Sequence, residues 1–185
     1  GSADGLTLNF GKITDTLGQT LRWNSSSISA DSVMVFGGEY GQGAVTLIND
    51  IDLNGSTANA VVFDSALTDS DHATMSGVLY NGSLNVGDTD YTGTLYLTGQ
   101  NALSNITVNN GTTTTEGGGN ISSATGPATN VNVTGGSLIL KGDETLGSVD
   151  VADGGTLTTE GTVSGGATSV TGTINSNGAA TYASL

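Results

Sequence analysis

The stretch Tyr91-Thr-Gly-Thr-Leu-Tyr-Leu-Thr-Gly-Gln-Asn-Ala-Leu-Ser-Asn-Ile-Thr-Val-Asn-Asn-Gly111 decides how the rest of the chain is read. Near its end two apolar residues, Ile106 and Val108, sit one residue apart and are followed at once by an Asn-Gly corner. Alternation of this kind marks a short strand with one buried face. Outward in both directions the same unit returns as Val45/Leu47, Val61/Phe63, Leu84/Val86, Val131/Val133 and Val149/Val151. Successive first members of the full series lie 16, 23, 22, 25 and 18 residues apart, a drifting period of the kind produced when each unit is one turn of a solenoid. Corners at Asn54-Gly55, Asn81-Gly82, Asn110-Gly111 and Asp153-Gly154 supply the positive φ angles of tight turns. The same dipeptides close hairpins in antiparallel proteins. Segments of only three to five residues, paired once per roughly 20 residues, fit coils better than a meander. The expected fold is all-β, a parallel β-helix (β-solenoid) over 45–185. A less regular N-terminal capping region of strands is expected over 1–44, where Leu6/Leu8/Phe10, Leu21/Trp23 and Val33/Val35 alternate.

Apolar residues make up only 35% of the 185, aromatics 5% and charged residues 11%, with 30 glycines. A core drawn from so few apolar side chains must be thin or repetitive. Disorder is the other reading of such a composition, but regularly placed Val, Ile and Thr argue against it. No window carries helical periodicity, and Lys, Glu, Gln and Arg are scarce. Residues 111–127, which hold the single proline, read as a loop thrown out from one coil, with the run Thr112–Thr115 as an alternative polar strand.

The net charge of −14, with Lys12, Arg22 and Lys141 the only cations, argues against nucleic acid and against an anionic bilayer as partners. Absence of cysteine removes disulfides and thiolate metal sites. No apolar run reaches the ~20 residues of a membrane-spanning helix. Gly1-Ser2 reads as a cloning remnant, so a piece of a longer, exported chain is expected.

Candidate sites are few. His72, the lone histidine, lacks a Gly-x-Ser-x-Gly turn and further zinc ligands, and reads as a residue of a polar loop. The pairs Asp50/Asp52, Asp69/Asp71 and Asp88/Asp90 invite calcium or, for the first two, glycan cleavage by paired carboxylates. Against both, acids at i and i+2 on a strand simply share a solvated face. Tyr91 and Tyr96 offer a small sugar-stacking surface, with strand surface or core filling as the plainer reading. Asn-x-Ser/Thr sequons at Asn54, Asn81 and Asn105 are expected by chance in so Asn- and Thr-rich a chain. Thr-x-Thr at Thr112/Thr114 and Thr171/Thr173 is the pattern of ice-binding solenoids, but the sequence shows no repeat of it at one position in every coil.

The segment Tyr91 to Gly111, with its gist repeated at Val131–Leu140 and Leu146–Leu157, resembles the β-strand repeat of bacterial autotransporter passenger domains. The resemblance covers about residues 45 to 175 and rests on pattern. It implies a right-handed parallel β-helix displayed on the outer surface of a Gram-negative bacterium, anchored by a membrane barrel absent from this sequence. The function expected from it is that of a non-enzymatic extracellular segment acting in adhesion or as a stalk. Its partners would be a host glycan, a matrix protein or another copy of itself, with no cofactor, metal or catalytic residue. The competing class is a carbohydrate-active β-helix enzyme, a hydrolase or lyase, using acids among Asp50, Asp52, Asp69 and Asp71.

Overall fold

Among the described residues seventeen strands follow one another, all pairing in parallel. A computed structural model describes residues 7–10, 33–36, 45–48, 50–62, 72–89, 92–123 and 125–184. In chain order the strands are β1 (Thr7–Phe10), β2 (Val33–Phe36), β3 (Val45–Leu47), β4 (Ile51–Asp52), β5 (Thr57–Val62) and β6 (His72–Met75). Next come β7 (Leu79–Val86), β8 (Thr94–Leu97), β9 (Ala102–Val108), β10 (Thr112–Thr115), β11 (Thr129–Val133) and β12 (Ser137–Leu140). The last are β13 (Glu144–Val151), β14 (Thr156–Thr159), β15 (Val163–Val170), β16 (Thr173–Ser176) and β17 (Ala180–Ser184).

From β6 onward the chain alternates between two sheets. The ten-stranded sheet has the order β1-β2-β5-β7-β9-β11-β13-β15-β17, with β4 beside β7, and the seven-stranded one has the order β16-β14-β12-β10-β8-β6-β3. Each passage through both sheets is one coil of a parallel β-solenoid. Side chains hydrogen-bonded between equivalent places in neighbouring coils lie 26, 22, 25, 18 and 17 residues apart. The coil length therefore drifts as the apolar pairs do, because added residues are absorbed in turns and at register shifts in the β7/β9 and β11/β13 pairings, after which the apolar pairs realign.

The core forms from columns of equivalent side chains. In the larger sheet Leu84, Ile106, Val131 and Val149 align, as do Val86, Val108, Val133 and Val151, and all eight are buried. In the smaller sheet Ala73, Leu95, Thr113, Leu138 and Leu157 align. Alternate residues of each strand point inward, so one apolar pair per strand suffices to fill a thin interior.

Two members of the sequence series belong elsewhere. Val45/Leu47 forms β3 of the smaller sheet. In the coil that carries Val61, the places aligned with Leu84 and Val86 are held by Ala58 and Ala60, whose small side chains carry too little apolar weight to stand out; Val61 aligns with Val35 instead, and Phe63 lies outside the described residues. The loop expected over 111–127 is corrected at its start: Thr112–Thr115 is strand β10, the polar alternative, in register with β8 and β12. In the N-terminal region β1 pairs with β2 and β2 with β5, so these two strands continue the larger sheet.

Candidate functional site

Asp50, Asp52, His72 and Tyr96 can be placed; Asp69, Asp71, Asp90 and Tyr91 fall outside the described residues. His72 is the first residue of β6, not part of a loop, because the residues after it already alternate inward and outward. Its ring meets Tyr96 edge to face, with centroids 5.2 Å apart and planes at 80°. Tyr96 is half-buried on the outer face of the smaller sheet, between Thr74 and Thr114 in register. The carboxylates of Asp50 and Asp52 complete corners. Asp50 Oδ1 accepts from the Val78 amide at 2.8 Å, while Asp52 Oδ1 accepts from the Asn54 amide at 2.8 Å and Asn81 Nδ2 at 2.9 Å. Each stands in for a carbonyl that the turn has displaced.

The outer face of the smaller sheet does repeat a hydroxyl at one position. Thr94, Thr112, Ser137, Thr156 and Thr173 lie in register through five successive coils, a column hidden in the sequence by unequal coil lengths. The neighbouring column is broken by Tyr96 and Ile139, which flank Thr114 and leave it 4% exposed.

A carboxylate that pattern reading passes over lies at the start of β13. Glu144 is 3% exposed and reaches back to the preceding coil: Oε1 accepts from the Ile121 amide at 3.0 Å, and Oε2 from the Ser122 amide at 3.0 Å and Ser122 Oγ at 2.6 Å. Burial holds its carboxyl above the usual range against the pull of these three donors, and neighbouring Asp143 adds to the rise. Asp143 Oδ1 accepts from the Thr162 amide at 2.8 Å. The two acids share a cleft of about 340 Å³ with Asn120, Ser122 and Thr162. Among the described residues no group of three or more His, Cys, Asp or Glu is arranged to hold a metal.

A second open feature is a groove of about 410 Å³ along the outer face of the larger sheet. Two columns line it. Thr57, Ser83, Asn105 and Asn130 align in one, and Asn85, Thr107, Asn132 and Asp150 in the other. Their amides bond from coil to coil: Asn105 Nδ2 donates to Ser83 Oγ at 2.9 Å, Asn130 Nδ2 to Asn105 Oδ1 at 3.0 Å, and both the Ser148 amide and its hydroxyl to Asn130 Oδ1. These asparagines were legible only as strand-exterior positions, since their alignment depends on the register.

No protein-family model, curated protein or solved structure matches this chain.

Proposed function

We propose that this chain is a non-enzymatic extracellular segment of a bacterial surface protein, similar to an autotransporter passenger, which acts in adhesion and holds its binding face away from the cell. The observation that carries this reading is a continuous parallel ladder with broad polar outer faces, in which Asp50, Asp52 and Asp143 all serve as acceptors for backbone amides. Carboxylates committed in this way fix corners. An acidic, hydroxyl- and amide-rich exterior also suits a solvated display surface more than a lipid or nucleic-acid contact.

A second reading, a carbohydrate-active β-helix enzyme, is favoured by one feature, the Asp143–Glu144 cleft with its buried acid of raised pKa. One experiment separates them. Purified protein is presented with a panel of glycans and immobilised matrix proteins while bound protein and liberated reducing ends are both measured. Saturable binding without release is the outcome expected of an adhesin. Release that disappears in Glu144→Gln would replace this reading with the enzymatic one, and the absence of any saturable binding would reduce the segment to a stalk.

A further inference from the structure

The groove on the larger sheet fixes its polar groups before any ligand arrives. Asn105 and Asn130 are held by neighbours on either side, so their orientation is set by the fold and little side-chain entropy is lost when they engage a partner. An amide offers two N–H donors, and the ladder bonds use one from each of these two residues. Along the coil axis the groups recur at about 4.8 Å. Among the residues lining the groove Asp150 is the one charged group, and none is cationic or aromatic. Strands β9 and β11 are paired on both sides, so no free backbone edge is offered to an added peptide strand.

We propose that this groove binds a linear, uncharged polysaccharide laid along the solenoid axis, whose hydroxyls exchange hydrogen bonds with the asparagine, serine and threonine columns. The charge argues for that occupant: a polyanion meets Asp150 and a chain of net charge −14, while the exposed side chains that line the groove are polar and give an apolar peptide or lipid little to bury against. A neutral polyol loses no charge solvation on entering, and its regular hydroxyls match a surface that repeats its donors and acceptors coil after coil. This inference rests on the adhesion reading and names the class of molecule it would engage.

Affinity electrophoresis through gels containing hydroxyethyl cellulose, glucomannan or dextran tests it, with heparin and alginate as polyanions and a Ser/Thr-rich peptide as a competitor. Wild-type protein should be retarded by at least one neutral polymer. Loss of two hydrogen-bonding side chains in Asn105→Val/Asn130→Val should weaken that retardation about tenfold or more. Because both positions face outward on strands, the variant is expected to fold, as circular dichroism would show. Asn132→Leu, which leaves the Asn105–Asn130 bonds intact, provides the second variant and should weaken binding likewise, whereas Thr94→Val/Thr156→Val on the other sheet should leave it unchanged. Retardation that persists in both groove variants would overturn the groove while leaving adhesion standing. Retardation by heparin or alginate alone, displacement by the peptide, or none with any polymer would also overturn it, and adhesion would then be judged by binding to matrix proteins.

Discussion

Thr113 places a hydroxyl inside the solenoid, fully buried in a column of Leu and Ala side chains, with no hydrogen-bond partner. A buried hydroxyl left unpaired costs about 1–3 kcal/mol. Thr113→Val, which keeps the shape and removes the orphan, should stabilise the protein by about 1–2 kcal/mol in urea unfolding; a loss of stability would mean that the hydroxyl has a partner. Glu144 carries a pH dependence of defined sign. Its folded-state pKa lies above the ordinary 4.5 because burial outweighs its three donors, so the folded protein holds this proton more tightly than the unfolded chain. The stabilisation is complete below 4.5 and is lost as pH rises through the raised value. Measured against Glu144→Gln, wild-type stability should therefore fall across that window and then level off; a difference independent of pH would contradict this. Neither residue announces itself in the sequence. Thr113 sits in a threonine run that looks like loop, and Glu144 acquires its role from amides of a coil 22 to 23 positions earlier.

The elements are held as firmly at their corners as along their strands. Asn101, fully buried, joins three coils: its Oδ1 accepts from the Leu79 amide at 2.8 Å, and its Nδ2 donates to the Gly99 carbonyl at 3.0 Å and the Asn120 carbonyl at 2.7 Å. Asn101→Leu removes all three bonds; the Gly99 carbonyl keeps the Asn120 amide, while the buried Leu79 amide loses the Asn101 side chain that accepts from it, so the change should cost about 1–3 kcal/mol of unfolding free energy. A cost under about 1 kcal/mol would show that water or neighbouring backbone takes over. Gly82 marks the bend of β7, where the pairing with β9 shifts register. A methyl group there would come within 2.4 Å of Leu53 Cβ and 2.5 Å of the Ser56 carbonyl oxygen. Gly82→Ala is accordingly expected to destabilise by about 1–3 kcal/mol through overpacking, read from the same unfolding curves. The strands themselves were largely legible: Leu84/Val86, Ile106/Val108, Val131/Val133 and Val149/Val151 fall where alternation places them. What alternation cannot weigh is a coil that fills its inner places with Ala58 and Ala60, or a strand such as β10 whose inward residues are threonines.

For the whole molecule, charge and repetition act against each other. Seventeen acids face three bases along a narrow rod, and among the described residues the single ion pair is Lys141–Glu116. Glu116 holds the Lys141 ammonium pKa above its usual value, with burial opposing and Glu160 adding to the rise. Surface pairs of this sort add little stability, so self-repulsion should dominate the response to salt. The melting temperature is expected to rise between low salt and about 0.15 M, where screening shortens to about 8 Å; a fall would mean that attractive pairs outweigh repulsion. The overall coil was readable from spacing and corner residues alone. The groove was not, because its two columns exist only once coils of unequal length are aligned. That alignment is the central claim, and the cysteine-free chain makes it measurable. Spin labels on cysteines placed at Thr94 and, in separate proteins, at Thr112, Ser137, Thr156 or Thr173 report one column. The account predicts separations that grow by about 4.8 Å with each successive site, reaching about 19 Å at Thr173. Distances that fail to rise in that order, or that bring Thr173 closer to Thr94 than Ser137 is, would contradict a parallel solenoid.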